Sequence, residues 1–517
     1  MTESMAATDS TPTSERLAED YDISETTTVT TQHNGTFRGT ELEYTARAGR
    51  RALIDDEGEV EVQLFYVEYT RDGFAPADRP ITFFINGGPG AATAWLHIGG
   101  LGPHKIAMNS DGSTPAPPAR VINNPESPLN LTDMVFIDAP GTGYSRMASD
   151  DVKDRLLSFE PDLDVFVRFI VSYLTDRDRH GSPLFVYGES YGGLRAAGLS
   201  DRLVRGGIPV SGVVLLSGLI DALTITPSMM NNLPYELLVP SYATIAGFHG
   251  RLAADLPEGQ ELRDAAERWA IKRFRPALAM GNRLEGDERS AIRSELSRFV
   301  GVSEEILERK DLRLDVPTFM ESLLPDRNLS GRIDARLIGF PPADMVEEPF
   351  YDPAMGSMVA AFNSAVHQYL PGVLGFNLDI PYRVYSRDTA SRFYATVSDI
   401  TGIQTGTSLQ SALVKNPHFR VLNIMGIYDL ATPYWSSEYA LQHLPIPADR
   451  RDNITCVRVP AGHMPYADQA GLTATNGAFA NFLEATTADQ HLLPGIGATP
   501  ANQIDDSREI SIDSTEM

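Results

Sequence analysis

The 517-residue chain carries 69 acidic against 43 basic side chains, a net charge of -26, which excludes a surface built to hold nucleic-acid phosphates. With 42% hydrophobic and 22% charged residues it has an ordinary globular composition, long enough for one large core with an insertion or for two domains. Its single cysteine, Cys456, permits no internal disulfide and reads as a small buried hydrophobe within a strand. No window reaches the length of a membrane span: Val210–Ile225 is short and interrupted by Ser211, Ser217 and Asp221. The N-terminus has neither a cationic start nor an apolar stretch, so a cytoplasmic protein is expected.

In chain order, residues 1–26 are rich in Ser, Thr, Asp and Glu and predict a disordered tail. From Thr27 to Thr70 polar and apolar residues alternate, interrupted at Asn34-Gly35 and at Asp55-Asp56-Glu57-Gly58, which predicts hairpins. Short apolar runs follow at Ile81–Ile85, Met134–Ile137, Leu184–Tyr187 and Gly212–Leu216, each succeeded by a glycine-bearing turn. Pro161–Leu174 places Leu163, Phe166, Ile170 and Leu174 at helical spacing. Buried strands alternating with helices predict an α/β fold with a mostly parallel sheet covered on both faces.

From about 224 to 403 the strand rhythm gives way to charged helical patterns such as Gln260–Phe274 and Glu285–Phe299. Strands resume at Arg420–Met425 and Ile454–Val459. The expected organisation is therefore a core of residues 27–223 and 404–488, split by a mainly helical lid over 224–403. An acidic, flexible tail is expected over 489–517.

The strongest local pattern is Gly188-Glu189-Ser190-Tyr191-Gly192, between an apolar strand and a helix-compatible stretch. A serine on so sharp a strand-to-helix turn needs small neighbours and projects from the sheet, and the following helix aims its N-terminal amides at the reacting oxygen. Such a nucleophile needs a base, and the base an orienting carboxylate. In this fold the order is serine, acid, histidine. Asp429 follows the strand Val421–Met425 and either orients a histidine or caps the helix predicted over Thr432–Leu441. Of the histidines beyond it, His463 directly follows the strand Ile454–Val459, whereas His443 lies in a helical pattern and His491 in the tail. Asn86-Gly87-Gly88-Pro89-Gly90, after the strand Ile81–Ile85, allows backbone amides to approach an oxyanion. The predicted architecture is thus an α/β-hydrolase fold with Ser190, Asp429 and His463 as the triad.

Together these segments resemble the serine carboxypeptidase family. The resemblance rests on residues 86–90, on Leu101-Gly102-Pro103, on Phe136–Ser145 (FIDAPGTGYS), on GESYGG at 188–193, on GIYDLATP at 426–433 and on AGHMPY at 461–466. It implies release of single residues from peptides with a free C-terminus, through an acyl-enzyme. It also implies an oxyanion hole of the Gly88 and Tyr191 amides, and substrate-carboxylate binding by Asn86 and a protonated Glu189.

Two departures stand out. Ala91 and Ala92 replace the family's cysteine and serine. Gly99 and Gly100 occupy the stretch where a glutamate commonly pairs with the glutamate of GESY. Without that partner, the resemblance does not carry over the acid-pH preference that a shared proton would give.

Asp138 and Ser145 are pocket-wall or structural residues, and Trp95 and Tyr144 are candidates for the acyl pocket or for plain packing. No cofactor is expected: metal-ligand spacing is missing from the sequence, and NGGPG lacks a phosphate loop's Gly-Lys-Ser/Thr ending. The alternatives are an acyltransferase or esterase on the same triad and, from another class, a catalytically inactive binding protein. The chain gives no reading of oligomeric state or side-chain preference, and neither nucleic acid nor membrane is expected as a partner.

Overall fold

The computed structural model describes residues 22–325, 328–340, 352–356, 358–396 and 402–488. The expected tail over 489–517, with His491, and nearly all of the tail over 1–26 lie outside the described residues.

Three long strands open the chain: β1 (Thr28–Phe37), β2 (Thr40–Ile54) and β3 (Val60–Arg71), paired antiparallel in sequence. The first hairpin does not turn at Asn34-Gly35, where the sequence is interrupted. Asn34 pairs with Glu43 inside the ladder, and the turn falls at Arg38-Gly39, both at positive φ (49° and 79°). Two successive left-handed residues give the primed turn whose twist matches the flanking strands. The second turn falls at Asp55–Gly58, where the Asp55 carboxylate accepts from the amides of Glu57 and Glu59.

The main sheet continues with β4 (Ile81–Ile85), β5 (Asp133–Ile137), β6 (Leu184–Glu189), β7 (Gly212–Leu216), β8 (Arg420–Gly426) and β9 (Ile454–Val459). They line up as β1-β2-β3-β5-β4-β6-β7-β8-β9 in a ten-stranded sheet, the tenth being the short Arg146–Met147 paired to β3. From β5 to β9 every pairing is parallel. Every residue of β4, β5, β6 and β7 is buried, as expected of strands covered on both faces.

One face packs against α1 (Phe159–Asp176), α2 (Tyr191–Arg205) and a helix at Gly406–Lys415, through residues such as Phe83, Val135, Val186 and Leu215. The other face, with Phe84, Phe136, Tyr187 and Leu216, is covered by the C-terminal helix Gln469–Thr487 and by the helix Met358–Gly372.

The stretch between β7 and β8 divides into two parts. Helices at Leu233–Phe248, Gly259–Trp269 and Gly286–Val300 pack in a second core around Leu237, Tyr242 and Phe319, which they share with Met425 at the end of β8 and with Tyr434 and Trp435. Residues 358–384 instead rejoin the sheet: Phe362 packs on Trp95 with ring centroids 4.2 Å apart, and the Tyr369 hydroxyl bonds that of Tyr69 at 2.7 Å. Apolar residues of this second part complete the sheet's cover, so only the first part resembles the expected lid.

Cys456 departs from expectation. It lies in β9, the last strand of the row, and is exposed, because an edge strand is covered less completely than a central one.

Candidate active site

At the carboxyl end of β6 the chain turns sharply into α2. Ser190 stands at the turn with φ 61° and ψ -125°, a conformation that costs a non-glycine residue roughly 1–3 kcal/mol and that the surroundings must hold. They do so through the backbone: the Ser190 amide donates to Leu216 at 3.0 Å, and its carbonyl accepts from Gly193 at 2.8 Å and Leu219 at 3.0 Å.

The loop after β4 lies directly against this turn. A Cβ at Gly87 would sit 2.5 Å from the Tyr191 nitrogen, so only glycine permits the approach. Gly88 and Tyr191 line one cavity with Ser190, and the amide of neither has a backbone acceptor among the described residues. Buried Arg195 on α2 braces the loop by donating to the Asn86 carbonyl, while its guanidinium is bidentate to Asp162 of α1 at 2.7 and 2.9 Å.

Asp429 is fully buried after β8. Its Oδ1 accepts from the amides of Ala431 (2.7 Å) and Thr432 (3.0 Å), and its Oδ2 meets His463 Nδ1 at 2.7 Å. The helix that follows, Tyr434–Gln442, begins after Pro433 and has no side-chain cap, so capping is not what Asp429 does. The Thr432 hydroxyl adds a third donor near Oδ2 at 2.8 Å and lies 3.1 Å from His463 Nδ1.

The His463 backbone is clamped as well, its amide donating to Ile333 at 2.6 Å, while Leu430 donates to Arg332 at 3.0 Å. Burial opposes charge on the imidazole, but the adjacent Asp429 charge and hydrogen bond outweigh it, and the pKa of His463 is raised. Ser190 and His463 line the same cavity of about 2210 Å³, although no hydrogen bond joins their side chains among the described residues. In unliganded sites such bonds often close only around substrate.

Asn86 and Glu189 line that cavity too. Asn86 Nδ2 donates to Glu189 Oε2 at 3.0 Å, and Asn86 Oδ1 accepts from the Leu96 amide at 3.2 Å, which fixes the amide's orientation. Burial pushes the Glu189 carboxyl up to about 7, against the opposing pull of His463 and its hydrogen bonds to Tyr466 and Asn86.

The space beside Gly99 and Gly100 is filled by the Tyr466 ring. A Cβ at Gly99 would lie 2.6 Å from Tyr466 Cε2, and one at Gly100 would be 2.8 Å from Leu472 Cδ1. The ring occupying that space carries its hydroxyl to Glu189, at 2.8 Å from Oε1 and 3.0 Å from Oε2. Tyr466 belongs to the AGHMPY segment, but no spacing rule links it to a residue 277 positions earlier.

The remaining candidates divide. Trp95 lines the cavity and donates its indole N–H to Val384 at 3.1 Å. Tyr144 packs edge-on to Phe65 and Tyr382 and is buried away from the cavity. Asp138 receives the amides of Thr93 and Tyr144 and the Tyr382 hydroxyl, and Ser145 bridges the Phe65 amide and the Asp138 carbonyl. Both are structural. His443 is exposed beyond its helix, its Nδ1 on the Tyr439 carbonyl. Among the described residues there is no cluster of His, Cys, Asp and Glu suited to a metal, and no helix long and apolar enough to cross a membrane.

A family model described as serine carboxypeptidase matches residues 50–247. The chain is 30% identical over 162 residues to a carboxypeptidase Y homolog of Arthroderma benhamiae, covering 29% of each. It is 27% identical over 147 residues to the pheromone-processing carboxypeptidase KEX1 of Saccharomyces cerevisiae, covering 27% of this chain and 19% of that protein. The matches thus span less than a third of these curated relatives. A crystal structure of that yeast prohormone-processing carboxypeptidase superimposes with a TM-score of 0.53 at 16% identity, covering 87% of this chain and 92% of the other. That likeness establishes the α/β-hydrolase fold.

Proposed function

We propose that the chain, whose residues 50–247 match the serine carboxypeptidase model, is a serine carboxypeptidase releasing C-terminal residues from peptides through an acyl-enzyme. In this reading Ser190 Oγ attacks the scissile carbonyl while His463 takes its proton. Asp429 holds the ring's tautomer through the 2.7 Å bond and stabilises the imidazolium. The Gly88 and Tyr191 amides, unclaimed by the backbone, receive the oxyanion. His463 then protonates the leaving amine, and water repeats the sequence to free Ser190.

The single observation that carries exopeptidase rather than general esterase activity is the Asn86–Glu189 bond. A buried amide and a carboxyl with a pKa near 7 stand beside the nucleophile in one cavity. Protonated Glu189 and Asn86 together can donate to a terminal carboxylate. A site built for such a group rejects analogues lacking it, because its own polar atoms are left unpaired.

Blocked dipeptides with a free C-terminus should therefore be cleaved far faster than their C-terminal amides. Equal cleavage of the two would remove the carboxylate assignment and bring the esterase or acyltransferase reading forward. A cytoplasmic location belongs to the same proposal, and a single thiol that can form no internal disulfide supports it.

A further inference from the structure

Tyr466 enters no step of that chemistry, yet its hydroxyl and the Asn86 amide are the two side-chain donors that reach the Glu189 carboxyl. Its hydroxyl reaches both carboxyl oxygens, at 2.8 and 3.0 Å, whereas Asn86 reaches only Oε2. The tyrosine is itself fully packed: buried, backed by Gly99 and Gly100, with any side chain at those positions in collision with it.

We propose that Tyr466 is a positioning residue for substrate-carboxylate recognition, its hydroxyl holding the plane of the Glu189 carboxyl so that Oε1 is the oxygen that carries the proton to the ligand. The proposal rests on the carboxylate reading of Asn86 and Glu189 given above.

The choice of oxygen follows from the donors. Oε2 accepts from Asn86 Nδ2 and also lies within reach of the one Tyr466 hydroxyl proton, so a proton placed there would oppose the Asn86 N–H. Oε1 faces the tyrosine alone and has a lone-pair direction left for a proton.

The groups that face Glu189 come from five elements: Asn86 after β4, Tyr187 on β6, Asp429 after β8, His463 after β9, and Tyr466 ahead of the C-terminal helix. The Tyr187 hydroxyl has no hydrogen-bond partner among the described residues. Burial and the Glu189 charge keep the Tyr466 hydroxyl protonated far above neutral pH, so it donates throughout the working range. A neutral donor aimed at a carboxylate favours the ionised form. Tyr466 therefore also limits how far up in pH Glu189 stays protonated.

The test is the ratio of kcat/KM for a blocked dipeptide acid to that for its amide, followed from pH 5 to 9. The ratio cancels effects on the nucleophile and base common to both substrates. Tyr466→Phe keeps the ring in its slot and removes only the donor. The pH at which the ratio falls should rise by about one unit, the worth of one such bond. At pH 5.5, where Glu189 is protonated either way, KM for the acid should rise roughly threefold with a smaller change in kcat, because the carboxyl is no longer held in plane.

Gly99→Ala, which crowds the ring from behind and leaves the hydroxyl in place, should move the ratio in the same direction by less. Tyr466→Phe in a Glu189→Gln background should shift nothing. If neither single variant moves the limb while the parent still prefers acids, Tyr466 only fills space and the proposal fails alone. A parent with no preference for acids would sink the carboxylate reading, and the proposal with it.

Discussion

Glu189→Gln isolates the proton on which carboxylate recognition depends. The donor pattern fixes how the new amide must sit. Its oxygen belongs at the Oε2 position, where it keeps the bonds from Asn86 and Tyr466 at 3.0 Å, and its nitrogen belongs at Oε1, where the proton of Glu189 is inferred to lie. The variant is thus a permanent donor with the parent's shape.

In the parent, burial pushes the carboxyl up to about 7, so in the proposed role it would donate below that pH and repel a substrate carboxylate above it. The preference for free acid over amide should then fall about tenfold per pH unit above 7, reaching roughly 30-fold by pH 8.5. In the variant the ratio should stay flat across the same range. Steady-state kcat/KM for one acid–amide pair at half-unit intervals from pH 5 to 9 measures both slopes. A parent ratio that is independent of pH, or a variant that retains the parent's slope, would refute the assignment of that proton to Glu189.

Ser190→Ala should lower turnover on the order of 10⁶-fold and abolish labelling by a fluorophosphonate, with an unchanged circular dichroism spectrum. His463→Ala should be comparably damaging, whereas His443→Ala, at an exposed helix end, should stay within a few-fold of the parent in the same assay. Arg195→Met should lower unfolding stability by about 3–5 kcal/mol, since it strands buried Asp162 without its partner. Adding Asp162→Asn should recover part of that loss in chemical denaturation, and no recovery would mean that the pair is not the cause.

The fold class was legible because the four central strands are continuous apolar runs bounded by glycines, and such runs have few alternatives in a chain of this length. The hairpin turn at Arg38-Gly39 was not. Asn-Gly is the stronger local turn signal, but Phe37, Leu42 and Tyr44 go into the core only in the observed register, and tertiary burial decided the matter. The return of residues 358–384 to the sheet was equally hidden. An amphipathic helix in sequence does not say which apolar surface it will cover.

At the site, the residues named from motifs are those that local backbone demands mark out: a serine at positive φ, glycines in a loop pressed against it, and polar side chains just past strand ends. Thr432, Arg195 and Tyr466 escaped because their importance lies in partners distant in sequence, and a hydroxyl or guanidinium in a helical or turn pattern has many ordinary uses.

The chemistry proposed for this site requires two adjacent groups to share protons in one particular way. His463 must be neutral to accept from Ser190, and Glu189 must be protonated to donate to the substrate. Yet each raises or lowers the other's pKa in the direction that favours the ion pair. The singly protonated pair therefore has two tautomers, and the ionic one serves neither step.

An incoming carboxylate resolves the choice. Its charge disfavours ionised Glu189, drives the proton onto that carboxyl, and leaves the imidazole free as a base. A substrate amide brings no such charge and leaves the ionic tautomer in place. Part of the preference for free acids should therefore appear in kcat as well as in KM, and the two macroscopic pKa values should belong to the pair rather than to either residue. In Glu189→Gln the coupling is gone, and the acid limb assigned to His463 should move down, because the histidine has lost a neighbouring negative charge. An acid limb unmoved by that substitution would show that the two groups titrate independently.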